Sequence, residues 1–158
     1  MLPAAGMFHP TTISPATGLA TDYLNHFNEA IMLLDTLAQC PDLLEDFLAW
    51  TPMSYREHFA ASRLKERDAI IAAYDKAEPT ARRHLEALAT AMTTMLEATR
   101  IALRTEPSSA QTTVTAGHVV TMLKPLVARA GAVINGVPNG EHSAAPPQAE
   151  VDRLMVGA

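Results

Sequence analysis

The sequence predicts an all-α fold, a four- or five-helix up-down bundle. The spacing of its apolar residues and its helix start and stop signals both indicate this fold. Three long segments carry apolar residues at alternating spacings of three and four, the period of a helix with one face on a core. Prolines and helix caps divide the chain between these segments, and no convincing alternation with the period of a strand occurs. Because the connections are short, successive helices are expected to be antiparallel neighbours.

The first helix is expected to begin at residues 14–15, where serine is the cap and proline takes the first helical position. It should end at residues 40–41, because proline disfavours a helical conformation in the residue before it. A short second helix is predicted within residues 42–50, before the Thr-Pro pair at 51–52. The apolar stripe of the first helix consists of Ala20, Leu24, Phe27, Ile31, Leu34 and Ala38.

Capping signals define the next two helices. Ser54 and Glu57 form a capping box that should open the third helix, and the polar run RLKERD predicts a bend or break in it near Ser62. The fourth helix should begin at the Glu-Pro pair of residues 78–79 and end at Pro107. The fourth helix carries an apolar stripe at alternating spacings of four and three, with which it is expected to face the core.

The fifth helix completes the predicted bundle. Another capping box opens at Ser108, and Pro125 should kink the helix because proline removes one backbone hydrogen bond. Three parts are then expected along the chain: a loose leader at 1–13, the helical bundle domain at 14–137, and a flexible tail at 138–158.

Composition and charge exclude several classes of protein. A chain of 158 residues is long enough for one domain with a proper core. The net charge of −5 argues against a nucleic-acid-binding protein, which needs clustered cations. No apolar run approaches the roughly 20 residues that cross a bilayer, and the N-terminus is a poor signal peptide. Cys40, the single cysteine, is expected as a buried small hydrophobe. We therefore expect a cytoplasmic protein without membrane association or cofactor.

The stretch DYLNHFNE, residues 22–29, concentrates polar side chains on the first helix. Asp22, Asn25, His26 and Glu29 are expected on the side away from the core, as a solvated face or a contact surface. A metal site would need further ligands from other helices, and the chain contains neither an H-E-x-x-H motif nor a cysteine pair. No metal is predicted.

Asp22 and Asn25 also form an acid–amide pair one helical turn apart. The pair resembles the arrangement in chemotaxis-type phosphatases, in which an acid engages the response regulator and an amide orients the attacking water. An amide can both accept from and donate to such a water. The resemblance implies Asp22 and Asn25 as catalytic candidates, which is the enzyme alternative for this chain.

Trp50 and Tyr55 flank a proline-containing turn, and two interpretations of them remain open. They can close one end of the core, or they can form an exposed aromatic surface that binds a partner.

The tail carries the segment QAEVDRLM, residues 148–155. Val151, Leu154 and Met155 fall at i, i+3 and i+4, a narrow apolar face that can anchor a short helix in a partner's groove. The segment resembles the peptide S-Q-x-E-I-D-x-L-L by which the flagellar motor switch protein captures its chemotaxis response regulator, with Pro147 in place of the serine. A related tail occurs in the proteobacterial chemotaxis phosphatase. The resemblance implies a response regulator as the protein partner.

The expected function is therefore that of an interaction protein of bacterial signalling type, binding its partner through the bundle surface and the tail. Two alternatives stay open: the phosphatase that uses Asp22 and Asn25, and a purely structural or oligomerising helical bundle. A homo-oligomer is compatible with each of them.

Overall fold

The computed structural model describes residues 13–105 and 109–137, and helices joined by turns and short irregular segments make up these ranges. The helices are α1 (Leu24–Asp35), α2 (Leu43–Ala49), α3 (Tyr55–Ala61), α4 (Arg67–Asp75), α5 (Pro79–Arg104) and α6 (Ser109–Ile134). Within the described ranges there is no strand, and an isolated bridge joins Ile13 to Ala20. The all-α prediction is confirmed. The described helices number six rather than four or five.

The packing of the helices centres on α6. This helix contacts both α1 and α5, while α2 contacts α1 and α5, and α3 packs on α4. In the described part of the chain no helix is long and apolar enough to cross a membrane. The largest fully buried side chains are Leu19, Phe27, Leu34, Phe47, Phe59, Ile70, Leu85, Met92, Leu96, Leu123 and Ile134. Each buried side chain of this size contributes roughly 1.5–3 kcal/mol to folding.

The prediction that the first helix begins at Ser14 is wrong. Residues 14–20 form a turn, in which the Gly18 N–H donates to the Ser14 carbonyl at 2.7 Å and the Ser14 N–H donates to the Leu19 carbonyl at 2.8 Å. Gly18 has φ +82°, a left-handed conformation that interrupts a helix. Helical structure starts only with the 3-10 turn Thr21–Tyr23, which leads into α1.

The predicted third helix is divided into α3 and α4 at the expected place. The capping box is present: the Glu57 N–H donates to Ser54 Oγ at 3.1 Å, and the Ser54 N–H donates to Glu57 Oε1 at 2.8 Å. At the other end, Ser62 has extended backbone angles, and its hydroxyl donates to the Phe59 carbonyl. Arg67 then donates to the Ser62 carbonyl at 2.9 Å and bridges the break.

The long helix α5 begins at the predicted Glu-Pro pair. The Glu78 side chain accepts from the N–H groups of Thr80 and Ala81 and caps α5, and these bonds hold the pKa of its carboxyl below the usual range. Pro125 lies inside α6, as expected. Ser108 and Pro107 lie outside the described residues.

The end of α6 is attached to the N-terminal turn, and this attachment requires a glycine. The Thr17 hydroxyl donates to the Ile134 carbonyl at 2.5 Å. Gly136 has φ +77°, and a Cβ placed there would lie 2.7 Å from the Ala16 Cβ. We expect Gly136→Ala to lower the free energy of unfolding by about 1–3 kcal/mol, as measured by urea denaturation. Gly117→Ala is the control, because its Cβ would meet nothing within 4 Å. Equal stability of Gly136→Ala and wild type would contradict this close packing.

Candidate functional site

His26 is buried, contrary to the prediction that it faces away from the core. Its side chain is 4% exposed, whereas Asn25 and Glu29 are exposed and Asp22 is half-buried. The cause is a second buried stripe on α1 and its flanks, which lies beside the predicted one. Its members recur at spacings of 3, 4, 3 and 4 and are Tyr23, His26, Ala30, Leu33 and Leu37. The same periodicity that identified the first stripe could have found it.

The buried imidazole fixes the position of the segment between α2 and α3. His26 Nε2 accepts the Met53 N–H at 3.0 Å, so this nitrogen carries no proton and the neutral ring is protonated on Nδ1. The ring stacks on Trp50 with centroids 4.5 Å apart, and Trp50 Nε1 donates to the His26 carbonyl at 3.1 Å. Burial, and secondly the nearby His58, lower the pKa of His26 to about 4. The imidazole is therefore uncharged at neutral pH.

His58 lies close to both the buried His26 and the half-buried Asp22. Its ring centroid is 5.9 Å from that of His26. Burial lowers the pKa of His58, opposed by a hydrogen bond to the Asp22 backbone and by the charges of Asp22 and Glu29. Asp22 lies in the 3-10 turn, and Asn25 lies in the first turn of α1. Among the described residues, no group of three or more His, Cys, Asp or Glu side chains could hold a metal ion.

A cavity of about 660 Å³ lies between α5 and the segment that leads into α3, and we call it the tyrosine cleft, after Tyr23, Tyr55 and Tyr74 in its lining. Residues 52–55 and Glu57 line one side. The other side is a face of α5 that runs from Leu85 to Thr94. A volume of this size falls within the range of ligand-binding cavities. Nothing in the sequence reasoning identified this cleft, because its two sides come from distant parts of the chain.

The phenol groups of Tyr23 and Tyr55 are held by the backbone. The Tyr23 hydroxyl donates to the Met53 carbonyl at 2.9 Å, and the Tyr55 hydroxyl accepts the Ala20 N–H at 2.8 Å. Burial raises the pKa of both phenols to about 12. Both side chains are therefore neutral over the ordinary pH range, and their rings supply apolar surface to the cleft.

Tyr74 contacts Glu86 in the cleft lining and two arginines outside the lining. Its ring stacks on that of Tyr55 with centroids 4.4 Å apart, and its hydroxyl donates to Glu86. The guanidinium groups of Arg56 and Arg82 lie 5.1 and 5.6 Å from the centre of the Tyr74 ring. Burial, followed by the hydrogen bond to Glu86, raises the pKa of Tyr74. This side chain therefore has a fixed orientation on the cleft wall.

Three threonine side chains on α5 line the cleft at Thr90, Thr93 and Thr94. Within the described part of the chain, none of their hydroxyls has a hydrogen-bond partner, in contrast to Thr99, which donates to the Met95 carbonyl. A hydroxyl can both donate and accept, so this face of α5 can hydrogen-bond a molecule in the cleft.

The remaining predicted site residues have three different outcomes. Trp50 and Tyr55 are 8% and 5% exposed, so they pack in the core and do not form an exposed aromatic surface. Cys40 is exposed, contrary to expectation, because α1 already ends at Asp35 and the chain then turns at the surface. The predicted anchors of the tail, Val151, Leu154 and Met155, lie outside the described residues.

Comparison with known proteins does not assign the chain to a family. No family model, no curated protein and no solved structure matches it. The residues of the cleft therefore carry the functional argument.

Proposed function

We propose that this chain is a helical interaction protein that binds a segment of a partner protein in the tyrosine cleft. The observation that carries the proposal is the cleft itself, about 660 Å³ in volume, with aromatic and aliphatic side chains and unpaired threonine hydroxyls in its lining. Apolar walls with a few convergent polar groups are typical of binding sites. The scaffold that we propose is an up-down bundle, since the long helices α5 and α6 are joined by a short connection.

The shape of the cleft favours a polypeptide segment. The α5 wall from Leu85 to Thr94 is about 13 Å long at a rise of 1.5 Å per residue, which matches about four residues of an extended chain. Opposite it lie residues 52–54, in a non-helical segment between α2 and α3. A bound segment can therefore contact Tyr23 and Met53 on one side and the threonine hydroxyls on the other.

The tail is the second docking element of the proposal. Val151, Leu154 and Met155 would anchor in a groove of the same partner, and a linker would keep the two binding events at high effective concentration. The resemblance of residues 148–155 to a response-regulator-binding peptide favours a bacterial signalling protein in the cytoplasm as the partner.

Filling the cleft tests the proposal. Thr90 and Thr94 are exposed positions of α5, and tryptophan at both would occupy the cleft without disturbing the core. We expect the variant Thr90→Trp/Thr94→Trp to lose at least about 90% of a partner that wild-type protein captures from native lysate, since a tenfold loss corresponds to only about 1.4 kcal/mol. Quantitative mass spectrometry of the captured proteins measures this loss.

Ala87→Trp is the matched control, because Ala87 is exposed on α5 but does not line the cleft. Circular dichroism would verify that each variant folds. A partner that is captured equally by wild type, control and the filled-cleft variant would disprove docking in the cleft. Replacing Val151, Leu154 and Met155 together by alanine tests the tail in the same experiment, and unchanged capture would disprove its role.

Asn25→Ala separates the phosphatase alternative from simple binding. Asn25 is exposed one turn from Asp22, and the imidazole of His58 is hydrogen-bonded to the Asp22 backbone. Under the docking proposal, Asn25→Ala leaves both capture and the lifetime of the partner's phosphoryl group unchanged. A phosphoryl group that the wild type removes and Asn25→Ala does not, with capture intact, would favour the enzyme.

A further inference from the structure

The tyrosine cleft has a charge imbalance that its own side chains do not neutralise. Its lining contains the carboxylates of Glu57 and Glu86 and no Lys, Arg or His among the described residues. Two arginines beside Tyr74 make their direct contacts outside the lining: Arg56 pairs with Asp75, and Arg82 donates to the Tyr74 carbonyl at 3.1 Å. The charge of Arg56 acts on Glu86 without an ion pair between the two side chains. An occupant of the cleft therefore meets two carboxylates without competing cationic side chains in the lining.

Each carboxylate uses one oxygen within the protein and has one left. Glu57 Oε1 accepts the Ser54 N–H, and Glu86 Oε2 accepts the Tyr74 hydroxyl. Within the described residues, Glu57 Oε2 and Glu86 Oε1 have no hydrogen-bond donor. The hydrogen bond at one oxygen fixes the direction of each carboxylate. The other oxygen is then a positioned acceptor for a cation.

The walls around the carboxylates suit the apolar stem of a long cationic side chain. Glu57 comes from α3 and Glu86 from α5, with the rings of Tyr23 and Tyr55 and the side chain of Leu85 in the lining with them. Lysine and arginine bury their methylene groups on apolar surface while the charged end remains hydrogen-bonded. The threonine hydroxyls of α5 would then be available to the backbone of the bound segment.

We propose that the segment bound in the tyrosine cleft carries a lysine or arginine side chain flanked by apolar residues, with its charge received by Glu57 and Glu86. This inference rests on the proposed function and adds the chemistry of the partner to it. It is argued from charge complementarity, which selects partners and disfavours acidic segments.

A set of four blocked leucine–alanine peptides with a central Lys, Arg, Gln or Glu tests the inference. Each is titrated into the full chain labelled with ¹⁵N, and the amide shifts of Thr90, Thr93 and Thr94 are followed. We expect saturable shifts with the Lys and Arg peptides, with dissociation constants about tenfold or more below those of the Gln peptide. Because the carboxylates are exposed, the preference should weaken as the salt concentration rises.

The double variant Glu57→Gln/Glu86→Gln removes both charges and keeps both internal hydrogen bonds, since a glutamine oxygen also accepts and glutamine also suits a capping box. It should bind the Lys and Gln peptides equally. The matched control Glu45→Gln/Asp46→Asn neutralises two exposed acids of α2 outside the cleft and should keep the preference for Lys.

Equal binding of the Lys and Gln peptides by the wild type, or a preference for Lys that survives in Glu57→Gln/Glu86→Gln, would overturn the inference. The absence of saturable shifts with all four peptides would overturn it as well. The docking proposal is judged separately by partner capture with Thr90→Trp/Thr94→Trp. Capture that depends on an open cleft, together with no preference for Lys, would show that only the partner's chemistry was inferred wrongly.

Discussion

Replacing Trp50 with alanine is expected to lower the free energy of unfolding by about 3–5 kcal/mol. The indole is 8% exposed, stacks on His26, and donates its N–H to the His26 carbonyl. Its truncation would leave a cavity beside Phe27 and remove the second donor of the His26 carbonyl, which already accepts within α1. The Trp50 carbonyl, which accepts from Arg100, would lose its fixed position as the segment loosens.

Urea denaturation followed by circular dichroism measures the effect, since the change removes the only tryptophan as a fluorescence probe. Met32→Ala is the control: Met32 is also a large apolar side chain, but it is 56% exposed, so its truncation should cost less than about 0.5 kcal/mol. Loss of partner capture by Trp50→Ala with unchanged stability would contradict the core position and restore the partner-binding interpretation.

Acidification below pH 6.5 is expected to destabilise the fold through His26. The folded-state pKa of His26 is about 4, and the ordinary value is 6.5. The unfolded chain therefore binds more protons between these values, and stability falls as the pH is lowered through this window. A shift of this size corresponds to about 3 kcal/mol, fully present above pH 6.5 and lost towards pH 4. Protonation also occupies Nε2, which then no longer accepts the Met53 N–H.

His26→Gln isolates this contribution from other titrating groups. A glutamine oxygen can accept the Met53 N–H but does not titrate, and it loses the ring that stacks on Trp50. We expect His26→Gln to be less stable than wild type at pH 7 and the difference to shrink by about 3 kcal/mol by pH 4.

His58→Gln is the control. Burial also lowers the pKa of His58, and this substitution removes its titration while His26 can still titrate. Most of the acid-induced loss should persist in His58→Gln. Parallel stability–pH curves for wild type and His26→Gln would contradict a buried neutral imidazole.

The sequence by itself determined the helical class and two of the helix caps. The capping box of Ser54 and Glu57, the start of α5 behind Glu78 and the break near Ser62 are all found where the sequence predicts them. Each of these features depends on groups within about four residues of one another. Both interacting groups can therefore be identified from a short stretch of sequence. The main stripe of α1 was equally visible, because burial of one helix face follows from the helical period.

Local reasoning failed where a local helix signal competed with a long-range contact. The Ser-Pro pair at 14–15 is a good helix start, but Gly18 takes a left-handed conformation against the backbone of Ala77. The Glu78 N–H also donates to the Thr17 carbonyl at 2.9 Å, so the start of α5 holds the N-terminal turn. A contact across some 60 positions outweighed the local preference, as tertiary packing commonly does.

The candidate site was decided by the tertiary structure alone. His26 accepts from Met53, which is 27 positions away, and Arg100 donates to Trp50 across 50 positions. The tyrosine cleft likewise exists only because the segment around Met53 lies opposite the threonine face of α5. Periodicity indicates which face of a helix is buried. It does not indicate which distant segment packs on that face or how much of the face that segment buries. That choice depends on the joint packing of all the helices. It buried His26 while Asn25 and Glu29 stayed exposed, and it left the cleft open.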